Sequence, residues 1–421
     1  MRVLLFGFGS RGDVQPFAAL GKGLQRAGYD VTLAAGSNFE SWVRSEGLNF
    51  DPIQVDVEAM MQTDIGKNWL DGSSHSPQAE VRNMKRMADA AAPGVAADIL
   101  RMIDQYDAFI SGALAVEAMA AATAARGKRH VIGLMSPWAP TRSGAAGMNA
   151  PLPRANSLIN LGFGYFIESM MSGVLRAPSL AVRSRLNLPA PTRGDFMRAW
   201  NRTPALIGIS PLVTPPPPDW NDCQAVTGYW FLDAPAGWQP SPALTAFLEA
   251  GEPPVYVGFG SMSSRDPEAT LRIMLDALVK SGRRGVIHSG WAGLKSEKLP
   301  DNVFLLDSAP HDWLFPRMAA VIHHGGAGTT AAGLRAGVPS AIVAHIGDQP
   351  YWGRRLHELG VGAPLLRRHL LTADNLVETI RLLTTDRDLR ARAAALGERI
   401  RAEDGVGNAV RAFEQFMEQE E

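Results

Sequence analysis

Val321-Ile322-His323-His324-Gly325-Gly326-Ala327-Gly328-Thr329-Thr330 runs from an apolar strand through three glycines into a helix. Unpaired backbone N–H groups and the positive end of the helix dipole then converge on one spot, which makes it an anion site. A diphosphate bound there would take hydrogen bonds from the Gly328–Thr330 turn, from the Thr329 hydroxyl and from a flanking imidazole. The lysine of a phosphate-binding P-loop is missing, so nucleoside triphosphate hydrolysis is not implied. Adjacent histidines at a strand end point to opposite faces, which argues against joint metal ligation. Ordinary core or capping histidines are the alternative.

Outward from this turn, apolar runs of strand length alternate with amphipathic stretches of helix length, the pattern of βαβ units around a parallel sheet. Pro254–Phe259, Gly285–His288, Val303–Leu306 and Ala319–His323 read as strands, Glu268–Ser281 and Thr329–Ala336 as helices. The first half shows the same alternation, with strands at Arg2–Phe8, Asp30–Ala35, Asp107–Ser111 and His130–Leu134 and a helix at Gln15–Ala27. From Asp386 to Glu420 the pattern is helical, broken around Gly405-Val406-Gly407. Gly-Phe-Gly-Ser occurs at Gly7–Ser10 and again at Gly258–Ser261, each time after the first strand of its half. Prolines are densest from Pro211 to Pro242, where neither helix nor central strand persists, so a domain boundary is expected near Leu232–Pro242. The expected fold is α/β, with two Rossmann-like domains facing one cleft. Residues 1–231 form the first domain, 232–243 the linker, 244–400 the second domain and 401–421 a C-terminal helix.

Composition narrows the function classes. The 421 residues are 46% hydrophobic, and the mean hydropathy is −0.05, as for a soluble two-domain chain. Lys and Arg number 41 against 42 Asp and Glu, so no global positive field draws in nucleic acid. The one cysteine, Cys223, can form neither an internal disulfide nor a Cys-based zinc site, which points to a reducing compartment and to the cytoplasm. Val3-Leu4-Leu5-Phe6 is too short for a targeting segment. Ser157–Leu175 carries one charge, Glu168, over roughly the length of a bilayer span. Its Asn160, Gly162, Gly164 and Gly173 make it a poor span, so no transmembrane segment is expected; peripheral membrane contact stays open.

Gly7-Phe8-Gly9-Ser10-Arg11-Gly12 matches the dinucleotide fingerprint G-x-G-x-x-G in its proper place between strand and helix. That fingerprint also needs an acidic residue at the end of the second strand to hold ribose hydroxyls. Here the strand ends Leu33-Ala34-Ala35-Gly36, with Asp30 at its start and Glu40 beyond it, which demotes a nicotinamide oxidoreductase. A glycine turn remains that presents Asp13 at a helix N-terminus, as a functional carboxylate or as a cap. In Gly347-Asp348-Gln349-Pro350 an acid beside an amide offers acceptors and donors to vicinal hydroxyls, or else Asp348 caps the helix opening at Pro350.

Taken together these residues resemble the nucleotide-sugar glycosyltransferases of the large family that contains sterol glucosyltransferases, antibiotic-aglycone glycosyltransferases and plant secondary-metabolite glycosyltransferases. The resemblance spans nearly the whole chain. It is most specific in Gly9-Ser10-Arg11-Gly12-Asp13-Val14-Gln15-Pro16, Thr227-Gly228-Tyr229-Trp230-Phe231, Gly258-Phe259-Gly260-Ser261, Pro310-His311-Asp312-Trp313-Leu314-Phe315-Pro316, His323 to Thr330, Arg335-Ala336-Gly337 and Asp348-Gln349. These motifs look closest to the sterol and lipid glucosyltransferase branch. The resemblance implies a glycosyltransferase-B type fold whose last helix returns to the N-terminal domain. It implies an inverting, metal-independent transfer of a hexose, glucose from UDP-glucose, to an apolar acceptor such as a sterol, with no cofactor beyond the donor.

Carried over by resemblance, the catalytic base falls on Asp13, and the diphosphate contacts on Ser10, Arg11, Gly12, Ser261, His324, Gly326, Gly328 and Thr329. Sugar hydroxyls fall to Asp348 and Gln349. The plant enzymes' catalytic His appears here as Asp13, and the acid that orients that His has no counterpart, with Gly112 nearby. Their ribose-binding Glu appears as Ala332 and their base-stacking Trp as Ser308, with Trp291 a candidate replacement surface. The glycine-interrupted apolar segment with Trp138, Met148, Phe163, Phe166 and Met170 suits an adaptable acceptor wall, against the plainer reading of a core helix. The other function classes considered are a macrolide or flavonoid aglycone glycosyltransferase using a dTDP-sugar, and a non-catalytic nucleotide-sugar-binding subunit. A monomer or weak homodimer is expected.

Overall fold

The computed structural model describes residues 1–64, 66, 76–235, 237–260, 266–289 and 299–418. The chain divides into two compact units, one of Met1–Gly66, Val81–Leu232 and Glu403–Glu421, the other of Lys67–Glu80 and Asp233–Ala402.

The first unit is a seven-stranded sheet in the order β3-β2-β1-β4-β5-β6-β7, with every described pairing parallel. Its strands are β1 (Arg2–Phe6), β2 (Asp30–Gly36), β3 (Asn49–Ile53), β4 (Ala108–Ser111), β5 (Arg129–Leu134), β6 (Ala205–Ile207) and β7 (Gln224–Val226). Successive side chains of a strand face opposite sides of the sheet, and β1 uses both. Val3 and Leu5 pack with Phe17 and Leu20 of the helix Arg11–Arg26, while Leu4 and Phe6 pack with Val95, Ile99 and Met119 on the other face. Covering both faces is what a parallel sheet requires. The final helix, Gly405–Glu418, belongs to this unit: Phe413 is fully buried in the first of these cores, and Asn408 donates from Nδ2 to the Thr227 carbonyl at 2.8 Å.

The second unit is a six-stranded parallel sheet in the order β10-β9-β8-β11-β12-β13. Its strands are β8 (Val255–Gly258), β9 (Gly285–His288), β10 (Val303–Leu306), β11 (Ala320–His323), β12 (Ser340–Ala344) and β13 (Leu366–Arg367). Val255 and Val257 face one core and Tyr256 the other, repeating the two-sided logic of the first sheet. In both units the strand order reverses direction beside the first strand, at β1/β4 and β8/β11, and ligands of such sheets bind at the carboxyl ends of those strands.

Three local expectations are corrected. The break in the C-terminal helical region lies at 402–404, between the helices Arg387–Arg401 and Gly405–Glu418. Gly405 opens the second helix rather than interrupting it, because Asp404 accepts from the Gly407 N–H at 2.9 Å in the manner of an N-cap. The proline-dense stretch still carries β7, since an edge strand tolerates what a central strand does not. A 26-residue helix, Pro77–Met102, contains Pro93 in its interior. Among the described residues no single helix is long and apolar enough to cross a membrane.

Candidate active site

In the first unit the site is built where β1 ends. Gly7 hands its N–H to the Ala34 carbonyl at 2.8 Å, and Gly9 turns the chain at φ 151°. A Cβ on Gly9 would overlap the Asp13 carboxylate, so glycine is what lets that side chain fold back over the turn. Asp13 Oδ2 accepts from Ser10 N at 2.7 Å and from Ser10 Oγ at 3.1 Å, closing a capping box at the start of the helix Arg11–Arg26. Asp13 is nevertheless exposed. Both sequence readings of it therefore coexist: it caps, and it presents a carboxylate to solvent at the sheet edge. Arg11 lies 4.8 Å over the Trp42 ring and donates from Nε to Gln15 Oε1 at 3.1 Å, and Gly12 is exposed beside it.

In the second unit β11 leads into the glycine turn at 325–328. His323 is fully buried, and its Nδ1 accepts from the Gly325 N–H at 3.1 Å. That bond pins Gly325 at φ 98°, where a Cβ would also lie 3.1 Å from Gln349 Cβ. His324 turns the other way, its ring centroid 6.2 Å from that of His323 and nearly perpendicular to it. A Cβ on Gly326 would stand 2.6 Å from His324 Nε2, and one on Gly260 would stand 3.1 Å from Cε1. The imidazole thus sits between two stretches of glycine backbone.

Burial pushes His324 down to about 4, and neighbouring His288 adds to the effect. The ring is therefore uncharged at neutral pH, a single N–H donor rather than an imidazolium. His324 Nδ1 has no hydrogen-bond partner among the described residues. Beyond it the helix Ala327–Ala336 begins with Gly326 as N-cap, a residue with no side chain to occupy the first N–H groups. Gly328 is exposed, and a Cβ there would meet open space, while Thr329 is half-buried in the same first turn.

Asp348 and Gln349 follow the adjacent strand β12. Asp348 is the N-terminal flanking residue of the helix Gln349–Glu358, but its Oδ2 accepts from Trp352 Nε1 at 2.8 Å instead of capping. Gln349 is buried, with Oε1 accepting from His345 N at 2.6 Å and Ile346 N at 3.0 Å. Its amide oxygen thus holds the loop together. Ser308 is exposed after β10. Ser261 and Trp291 lie outside the described residues.

Residues 3–132 match the glycosyltransferase family 28 N-terminal domain, and residues 272–412 match the erythromycin biosynthesis protein CIII-like C-terminal domain. A sterol 3-beta-glucosyltransferase of Arabidopsis thaliana is 34% identical over 425 residues, covering 99% of this chain and 68% of that protein. Another from Arabidopsis thaliana is 36% identical, covering 98% of this chain and 65% of its own length. The chain belongs to this glycosyltransferase family. A sterol 3-beta-glucosyltransferase of Emericella nidulans is 33% identical, and the chain spans 99% of itself but 30% of that longer relative. Among solved structures, glycosyltransferase VinC in complex with dTDP is 20% identical with a TM-score of 0.67, covering 99% of this chain and 100% of that one. Spinosyn forosaminyltransferase SpnP is 17% identical with a TM-score of 0.69, covering both chains fully. These share the glycosyltransferase-B fold.

The acceptor-wall residues of this glycosyltransferase all lie in the first unit. Phe163, Phe166 and Met170 share the helix Leu158–Val174, with the Phe163 and Phe166 rings 5.7 Å apart. Trp138 stacks on Trp200 at 5.4 Å, and Met148 is half-buried in the loop after β5. Sequence reasoning missed the imidazoles around His324. His345 is held well down, to about 3, by burial and by His324, and His288 is lowered by burial against the opposing pull of Asp307. Their positions at consecutive strand ends were the available signal. Among the described residues no three His, Cys, Asp or Glu side chains are placed to hold one metal ion.

Proposed function

We propose that this glycosyltransferase moves glucose from UDP-glucose to the hydroxyl of a sterol by a single inverting displacement. The observation that carries the reading is full-length similarity, at 33 to 36% identity, to proteins named sterol 3-beta-glucosyltransferases. Asp13, anchored through Oδ2 and exposed, takes the proton of the acceptor hydroxyl. The acceptor oxygen forms a bond to the anomeric carbon on the face opposite the nucleotide. The bond from that carbon to the diphosphate oxygen breaks, and UDP departs with the electron pair.

Negative charge grows on the departing diphosphate. The N-terminus of the helix Ala327–Ala336, the Thr329 hydroxyl and the N–H of neutral His324 supply donors where it develops, so a metal ion is not needed. Ser10, Arg11, Gly12 and Ser261 add diphosphate contacts, Asp348 and Gln349 read the sugar, and Trp291 or Ser308 meets the base. Trp138, Met148, Phe163, Phe166 and Met170 receive the ring system of the acceptor. The single cysteine suits a reducing compartment, the cytoplasm.

A second reading, transfer from a dTDP-sugar to an antibiotic aglycone, is favoured by the match of residues 272–412 to the erythromycin protein's domain. Relative rates with the two donors on sterol and macrolide acceptors separate the readings.

The Asp13→Asn variant tests the mechanism. Asparagine keeps an oxygen for the Ser10 N–H but cannot accept the substrate proton. Transfer should fall at least ~100-fold with UDP affinity nearly unchanged. Near-wild-type turnover would leave Asp13 with its capping role alone.

A further inference from the structure

The helix Leu158–Val174 has one face that the protein leaves uncovered. Leu158 is 67% exposed, Ile159 60%, Phe166 59% and Tyr165 41%. At 100° per residue these four, with Gly162 and Gly173, fall within about 120° of arc and extend along about 22 Å of helix. A Cβ on either glycine would meet nothing within 4 Å, so the stripe is open along its length. Asn160, Glu168, Met171 and Val174 occupy the opposite, buried face. The helix is thus fastened to the fold on one side and apolar to solvent on the other.

The charges around it are one-sided. From Arg142 to Arg202 the chain carries eight arginines against two acids, Glu168 and Asp195, in a sequence whose overall charge is −1. Glu168 is buried, and Asp195 is tied to the Thr192 N–H and hydroxyl and lies near Arg183. Arg154 ahead of the stripe and Arg176 and Arg185 behind it are exposed.

We propose that this face docks the protein onto an anionic phospholipid surface, with the helix lying in the plane of the headgroups. Exposed aliphatic and aromatic side chains enter the acyl boundary, Tyr165 places its hydroxyl at headgroup level, and the arginines meet lipid phosphates. The arginines choose this occupant over others. A second copy of the chain would bring like charges together, and an uncharged alcohol offers them nothing. The proposal does not depend on the identity of the acceptor.

Sedimentation of the full chain with vesicles tests it. Binding to phosphatidylcholine vesicles containing phosphatidylglycerol should exceed binding to phosphatidylcholine alone at least ~10-fold, and about 0.5 M salt should remove most of the difference. The pair Leu158→Ser and Ile159→Ser should lower partition to the mixed vesicles at least ~10-fold. Arg154→Gln with Arg185→Gln should lower it roughly 10-fold, and only at low salt. Equal binding to both vesicles, or unchanged partition of a folded Leu158→Ser/Ile159→Ser protein, overturns the proposal. So does a concentration-dependent dimer that those substitutions abolish. If the serine pair fails to fold, an environment-sensitive dye at Ile159→Cys in a Cys223→Ser background decides the matter: a blue shift with mixed vesicles is expected, and its absence refutes docking by this face.

Discussion

Replacing Glu168 by Gln should change how stability depends on pH. Glu168 lies on the buried face of the helix Leu158–Val174, 8% exposed, with Oε1 accepting from Asn201 Nδ2 at 2.6 Å and Oε2 lacking a partner among the described residues. Burial pushes its carboxyl from 4.5 up to about 7, against smaller opposing effects of the Asn201 hydrogen bond and Arg193. The folded protein therefore keeps this proton to about pH 7, whereas the unfolded chain releases it near 4.5. Between those values the folded state binds more protons, so the contribution of Glu168 to stability falls as pH rises through the window and is level above it. The shift corresponds to a loss of about 3 kcal/mol. Glutamine cannot ionise and removes the slope, adding only a constant for its unpartnered N–H₂. Urea unfolding of both proteins from about pH 5 to about pH 8 should show the variant gaining roughly 2–3 kcal/mol relative to the parent. A difference that stays constant across that range would refute the buried neutral carboxyl.

Two further outcomes follow from the sites. By calorimetry, His324→Ala and Thr329→Ala should each weaken UDP binding about 10-fold, the scale of one lost hydrogen bond to a charged group; Asp348→Ala should leave UDP nearly unaffected while weakening UDP-glucose. Equal losses for both ligands in the Asp348 variant would remove its sugar-reading role. Phe163→Ala with Met170→Ala should raise the acceptor KM several-fold and leave the donor KM unchanged; unaltered acceptor kinetics in a folded variant would count against the apolar wall.

What could be read from the sequence followed the strength of local signals. The apolar runs that became β1, β2, β4 and β8 to β11 are bounded by glycine turns, and their alternation with helices specifies parallel sheets without further information. β3 was not legible because Asp51-Pro52 interrupts it, and β6 and β7 are three-residue strands among prolines, too short for any periodicity. The helix Pro77–Met102 carries an internal proline that reads as a break. At the site, Asp13 and the His324 turn could be found because each lies within one strand–turn–helix unit. The surroundings that keep His324 uncharged could not, since His288 and His345 reach it only through the strand order. The exposed stripe on Leu158–Val174 was visible as composition but not as a face, because which side of an apolar helix is buried depends on what packs against it.

Transfer to a sterol is tested most directly by incubating the purified protein with glucose-labelled UDP-glucose and a sterol, then resolving the lipid extract. The expected product is a labelled steryl glucoside whose anomeric configuration is inverted relative to the donor, with one UDP released per product. Label appearing only as free glucose, or only on a macrolide supplied with a dTDP-sugar, would contradict it.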